Sequence, residues 1–321
     1  VAPPHGSMLP MSPVRKNILM VACALGLLIP VVIIFICENM NTRVRGRKDL
    51  ENLTIPFIGE IPLFTRKKKG IFRKKPQEVR AIVVKEGSRD IINEAFRVLR
   101  TNLEFMTGKD KASNVIIVTS FNPGSGKSFL TMNIAVSFAI KGKKVLVIDG
   151  DLRHGSASSY IDSPTKGLSD YLGGRIDNLN EIIVTNPKQK YLDILPVGTI
   201  PPNPTELLFD DRLKQVIDTV REQYEYVLID CPPIELVADT QIIEKLADRT
   251  IFVVRAGLLE LSMLAELEKI YGEKKYKNMS LILNGTEGSG GRYGYRYGYR
   301  YGYHYGYGSE YHYGSDEKYI E

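Results

Sequence analysis

The first strong signal along the chain is an apolar run without a charge, ILMVACALGLLIPVVIIFI, from Ile18 to Ile36. At 1.5 Å per residue a helix of that length covers about 30 Å, the thickness of a bilayer's hydrocarbon core. The run predicts a transmembrane helix over 18–37, preceded by a proline-rich segment, 1–17, on the side of the membrane opposite the basic residues that follow the span. A buried core helix is the competing reading, but such helices are usually shorter and apolar on one side. From Lys85 to Asn284 the pattern becomes one of short apolar runs alternating with helical periodicity. Strands are expected at 115–119, 144–149, 191–195, 226–230, 250–255 and 279–284, and helices at 94–105, 128–140, 211–222, 239–247 and 261–275. Such alternation predicts an α/β domain, a doubly wound and mostly parallel sheet whose ligands sit at the carboxyl ends of the strands. Between span and domain, residues 38–84 read as a basic juxtamembrane linker, with LTIPFIGEIPLF expected to hold an extended piece against the domain.

The stretch Val115–Ser128, VIIVTSFNPGSGKS, is the one around which the domain is organised. A buried strand, a turn-forming loop, Lys-Ser and then a helix make the phosphate-binding P-loop arrangement. Successive N–H groups and the helix N-terminus meet the phosphates. The nucleotide-binding residues expected are Asn122, Pro123, Gly124, Ser125, Gly126, Lys127, Ser128 and Phe129. Lys127 would reach the β/γ oxygens and Ser128 would ligate Mg²⁺, so the domain is of the P-loop NTPase type, with ATP and Mg²⁺ as its cofactors. Phe121 stands where the general pattern has a glycine. Two more strands end in aspartate: VLVID closes on Asp149, with Asp151 two residues on, and VLID closes on Asp230 before Pro232-Pro233. Each alone is an ordinary turn former or helix cap. With a P-loop they read as Mg²⁺ and proton-transfer carboxylates, Asp230 in the Walker-B position.

Charge adds a local feature. Residues 43–80 carry twelve Lys/Arg against four Asp/Glu, so the formal +6 of the chain resides there and the remainder is slightly acidic. This distribution argues against a nucleic-acid partner. Basic residues directly after the span place the downstream chain in the cytoplasm by the positive-inside rule. The run RKKKGIFRKKP is either a solvated linker or an attachment to anionic headgroups, worth about 1 kcal/mol per basic residue near the surface. Cys23, Cys37 and Cys231 have no metal or redox spacing. The chain starts at Val1 and is expected to be a piece of a longer protein.

In order, TSFNPGSGKS, VLVIDGDLR, GLSDYLGG, PPNPTELL and VLIDCPP resemble the bacterial tyrosine kinases. Those are the cytoplasmic halves of the co-polymerases that regulate capsule and exopolysaccharide chain length and export. Ser12-Pro13 with Gly26 is similar to that family's proline-rich motif at its second membrane helix, Ser7 standing where one of its prolines is expected. Glu94, Arg97 and Arg100 (E-x-x-R-x-x-R) match its ring-forming helix; read without the resemblance they are a solvated helix face. The resemblance implies a tyrosine autokinase of the bacterial inner membrane. Lys127, Asp149 and Asp151 would be catalytic, with Asp149 the base, and Ser128, Asp149, Asp151 and Asp230 would hold the metal. It also implies a homo-oligomeric ring over a kinase domain 85–287, the polysaccharide export machinery and a protein-tyrosine phosphatase as partners. Arg153 lies in the matching stretch without an assigned role.

The composition changes after Asn284. Eleven of the 18 tyrosines, at 293, 295, 297, 299, 301, 303, 305, 307, 311, 313 and 319, alternate with Gly, Arg or His. No core can be built from such a tract, and a disordered tail over 288–321 is expected. With a kinase upstream, Tyr293, Tyr295, Tyr297, Tyr299, Tyr301, Tyr303, Tyr305, Tyr307, Tyr311, Tyr313 and Tyr319 read as phosphoacceptors acting between subunits. The alternatives are a partitioning-type ATPase of the MinD/ParA kind, whose P-loop has a lysine where Asn122 stands, and a non-catalytic scaffold whose nucleotide gates assembly.

Overall fold

The computed structural model describes residues 15–39, 42–64, 81–107, 114–186, 189–234 and 238–287. The proline-rich start, the basic run 65–80 and the tyrosine row lie outside these. Helix α1 (Arg15–Asn39) contains the apolar run. Its stretch Lys16–Phe35 is long and apolar enough to cross a membrane, and none of it is buried against the chain.

The domain is built on one eight-stranded sheet: β1 (Phe57–Pro62), β2 (Asn114–Thr119), β3 (Val145–Asp149), β4 (Val184–Thr185), β5 (Leu192–Leu195), β6 (Tyr226–Asp230), β7 (Arg249–Arg255) and β8 (Ser280–Thr286). Their order is β1-β8-β7-β2-β6-β3-β5-β4, and all neighbours are parallel except the short β4, which runs antiparallel to β5. Strands β2, β3 and β6 are buried on both faces, as their β-branched and leucine runs require. Alternate residues serve opposite faces. Val115, Ile117, Leu146 and Ile148 join one core; Ile116, Val118, Val145 and Val147 join the other.

The second core is covered by α2 (Ile91–Thr107) and α3 (Lys127–Ile140), through Phe96, Leu99, Leu103, Leu130, Ile134 and Phe138. Across the sheet the first core takes the apolar stripes of α6 (Asp211–Gln223), α7 (Asp239–Glu244) and α8 (Met263–Gly272). Two shorter helices, α4 (Leu168–Leu172) and α5 (Pro204–Phe209), complete the described set. Every expected strand and helix is present; α7 and α8 are shorter than anticipated.

The segment expected to be linker is divided. Val44 is fully buried; its N–H donates to the Leu259 carbonyl (2.9 Å) and its own carbonyl accepts from Gly257 (2.7 Å). Ile55, Ile58 and Ile61 are buried as well, and β1 pairs along β8. Without β1 the edge of β8 would expose a row of unpaired N–H and C=O groups. Residues 81–85 pack beside α3 without a strand partner. The Asn133 carboxamide oxygen accepts from Val83 (2.8 Å) and Val84 (3.1 Å), and that of Asn93 accepts from Lys85 (2.7 Å). The packed unit therefore includes residues 42–62 and 81–84 as well as the described residues of 85–287.

Candidate functional site

Three adjacent strands, β2, β6 and β3, end at one rim of the sheet. Their carboxyl ends carry the P-loop, Asp230 and Asp149 in that order, and Asp149 and Asp230 are register partners. The loop's path depends on backbone geometry. Gly124 (φ +74°) and Gly126 (φ +87°) are left-handed, and Gly126 caps α3. A Cβ on Gly126 would lie 2.2 Å from Asn284 Nδ2, so no other residue fits there. Asn284, at the end of β8, donates from that same Nδ2 to the Ser125 carbonyl (2.8 Å). The Ser120 and Ser125 hydroxyls each donate to the Asn122 carbonyl (2.8 Å).

Phe121 departs from the motif because it plugs the core beneath the loop, its ring edge-on to Phe252 at 5.0 Å. Lys127 and Ser128 open α3, where the first N–H groups of a helix lack intrahelical partners and the dipole favours anions. The Phe129 ring packs edge-on against Phe96 of α2, with centroids 5.9 Å apart. Pro123 and Gly124 are exposed at the loop's outer turn.

The acidic side is set by side chains. Asp149 is fully buried, and its Oδ2 accepts from the Ser158 N–H (2.6 Å) and hydroxyl (2.7 Å), while its Oδ1 has no hydrogen-bond partner. Ser158 in turn accepts from Val197 N–H (2.9 Å). Neither oxygen of buried Asp230 has a hydrogen-bond partner; the Ser128 hydroxyl faces it and lowers its pKa only in part. Burial, then the Asp149 charge, push the Asp230 carboxyl above the usual carboxylate range. Asp149 is raised by burial too, partly offset by Ser158. The Lys127 charge acts on Asp230 in the opposite direction.

Asp151 is turned to the following chain, accepting at Oδ1 from the N–H groups of Arg153 and His154 (3.2 Å each). Gly150 between the two aspartates passes close to the β6 end, where a Cβ would lie 2.9 Å from Ile229. Arg153 reaches across the rim, with Nε 3.1 Å from Asp239 Oδ2 and Nη2 3.0 Å from the Thr205 hydroxyl.

Three orphaned buried carboxylate oxygens facing a glycine-shaped loop and a helix N-terminus suit a Mg²⁺–polyphosphate. Among the described residues no three His, Cys, Asp or Glu side chains close a metal cage by themselves. That fits Mg²⁺, which takes one or two carboxylates and completes its shell with phosphate oxygens and waters.

The expected interface triplet lies apart from this rim, on α2. Arg97 Nη1 pairs with Glu94 Oε2 (2.6 Å) on the exposed face. Arg100 turns inward instead and donates to the Ser137 carbonyl (2.8 Å) in the last turn of α3, where the helix dipole favours a cation.

A sheet of this order with a P-loop and strand-end aspartates defines the P-loop nucleotide-binding α/β class, and a family model described as an AAA domain matches residues 113–281. The chain is 35% identical over 209 residues to the tyrosine-protein kinase YwqD of Bacillus subtilis, covering 65% of this chain and 87% of that one. The kinase domain of Escherichia coli tyrosine kinase ETK superposes with a TM-score of 0.66 at 29% identity, covering 83% of this chain and all of that domain. The chain belongs to the bacterial tyrosine-protein kinases. It is also 32% identical over 261 residues to the tyrosine-protein kinase etk of Escherichia coli K12, covering 78% of this chain but 35% of that one. The chain spans about a third of the length of the longer curated relatives it matches, 34% to 38%.

Ser158, Thr205, Asp239 and the reach of Asn284 into the P-loop were not anticipated from the sequence. The signals available were slight: a serine nine residues beyond Asp149, and an aspartate heading the helix after Pro232-Pro233.

Proposed function

We propose that this chain is an ATP- and Mg²⁺-dependent protein-tyrosine autokinase, anchored in the bacterial inner membrane by α1 with its domain and tail in the cytoplasm. The observation that carries the reading is the rim of β2, β6 and β3, where the P-loop faces two buried carboxylates with unpartnered oxygens. Lys127 and the backbone N–H groups of residues 124–129 bind and orient the phosphates, while buried Phe121 and Asn284 hold the loop in shape. Asp149, oriented through its Oδ2 by Ser158, takes the proton of the incoming tyrosine hydroxyl at its free Oδ1. Bound at Ser128, Asp230 and the Asp149/Asp151 side, Mg²⁺ would neutralise charge on the transferred phosphoryl group. Asp151 keeps the turn after β3 closed, and Arg153 is held over the rim by Asp239.

The tail tyrosines 293–319 are the acceptors, supplied by a neighbouring copy in a ring. The exposed Glu94–Arg97 pair of α2 supports a ring contact; the inward-turned Arg100 braces the helix instead. The wider setting is a longer polysaccharide co-polymerase, its tail counteracted by a protein-tyrosine phosphatase. The test is a mixture of an Asp149→Asn chain with an active chain ending at Gly288, incubated with ATP and Mg²⁺. Phosphotyrosine on the Asp149→Asn chain, rising per molecule with total concentration, is the expected result. Absence of label on that chain would refute transfer between subunits.

A further inference from the structure

Beyond Asp239 the rim continues onto an exposed aromatic among acids. The Thr205 hydroxyl accepts from Arg153 and donates to Asp239 Oδ1 (2.7 Å), so the first turn of α5 is tied to the rim. Phe209 follows Thr205 by four residues and therefore lies on the same helix face, one turn further out. Phe209 is 66% exposed. Glu206, one turn before Phe209, and Asp210 and Asp211, directly after it, are exposed too, and residues 203–211 contain no Lys or Arg. The next base, Arg212, directs its guanidinium to Asp177 (2.7 Å) and the Tyr171 carbonyl (2.6 Å) and also feels the Asp210 charge, which leaves Glu206 and Asp211 as the acids of this surface.

The chain carries a complementary sequence outside the described residues. From Arg292 to Tyr307 there are arginines at 292, 296 and 300, a tyrosine at every second position from 293, and no acid. We propose that Glu206, Phe209 and Asp211 form a docking surface for the arginine–tyrosine stretch 292–307 of this chain's tail. The proposal deepens the autokinase reading and rests on it for the identity of the substrate. Tyrosine rings stack on Phe209 while arginines face Glu206 and Asp211. Because the tyrosines recur, one ring can rest on the surface while another in the row, about 3.3 Å further per residue, reaches the rim. The surface would select arginine-flanked tyrosines over others, a preference that the phosphate-binding loop cannot supply.

The test uses the full chain in detergent micelles and a fluorescent peptide with the sequence of residues 291–308, followed by anisotropy without nucleotide. The peptide should bind. Phe209→Ser, and Glu206→Gln with Asp211→Asn, should each weaken binding about five- to tenfold while leaving the thermal midpoint unchanged. A peptide with glutamine at 292, 296 and 300 should lose the same factor on the parent chain and nothing further on the acid-neutral variant. Raising salt from about 0.05 M to about 0.5 M should erase the arginine-dependent part. No peptide binding by the parent, or equal binding by parent and variants, would overturn the docking surface. Adding ATP and Mg²⁺ to the same samples separates the two readings. Patch-dependent binding without phosphotyrosine sustains the docking surface and removes the kinase; phosphotyrosine indifferent to the patch does the reverse.

Discussion

The two halves of the strand-end rim are built by different means. On the P-loop side the shape comes from backbone: left-handed Gly124 and Gly126, and an Asn284 amide pressed against the loop where no Cβ could sit. On the acidic side it comes from side chains, with Ser158 holding one oxygen of Asp149 and Asp239 holding Arg153. The backbone half leaves donors for an anion, and the side-chain half leaves acceptors without partners. A site divided in this way presents both signs of charge to a ligand that carries both, a polyphosphate with its cation. It also implies that the halves fail differently, the first by steric exclusion and the second by loss of hydrogen bonds.

The largest effect should come from the backbone half. Gly126→Ala places a Cβ against Asn284 and forces a left-handed alanine, about 1–3 kcal/mol from the backbone alone before the clash is added. Nucleotide affinity measured by fluorescent ATP titration should be abolished and the thermal midpoint lowered. Near-parental affinity would show that the loop takes another path. The acidic half should give less. Ser158→Ala leaves Asp149 with one donor and strips the Val197 N–H of its acceptor, a loss of about 1–3 kcal/mol by chemical denaturation. Nucleotide affinity should be nearly kept while tyrosine phosphorylation slows, because Asp149, the base in the proposed reaction, is no longer oriented. A collapse of nucleotide affinity instead would erase the distinction between the halves.

The part of this rim that was legible in the sequence is the part whose residues are contiguous. The P-loop, Asp149, Asp151 and Asp230 each stand at the end of an apolar run, so strand and chemistry are read in one window. Asn284 acts on a carbonyl 159 positions away and Asp239 on an arginine 86 positions away, distances over which no local pattern speaks. The extended piece within LTIPFIGEIPLF was legible, and it is β1 on the edge of β8, but the same reason hid how far the upstream segment joins the core. Val44, Ile55, Ile58 and Ile61 sit among prolines and charges, and only the open edge of β8 and the loop at Leu259 make them core. Arg100 matched a surface pattern, yet the carbonyl it binds is presented by another helix.

The smallest effect lies outside both halves and serves as their control. Asp90 caps α2, its Oδ1 accepting from the Asn93 N–H (2.9 Å). Desolvation raises its pKa, but the Asn93 and Ser88 hydrogen bonds outweigh it and bring the carboxyl below its ordinary 3.8. A lowered folded pKa contributes stability that is present above the unfolded value and is lost as pH falls through the folded one. Asp90→Ala should therefore cost about 1 kcal/mol at neutral pH and less below about pH 4, read from denaturant curves. A cost that is unchanged at low pH would remove the charge from the cap. Nucleotide binding should not move.

The most direct test is incubation of the full chain with ATP and Mg²⁺, in parallel with Lys127→Met, followed by phosphotyrosine detection and mapping of residues 288–321. Lys127 is a phosphate-side group opening α3, and methionine keeps its length without its charge, so the thermal midpoint should stay close to parental. The account predicts phosphotyrosine in the row 293–319 of the parent and none on the variant. Equal labelling of both chains, or nucleotide hydrolysis by the parent with no phosphotyrosine formed, would contradict it.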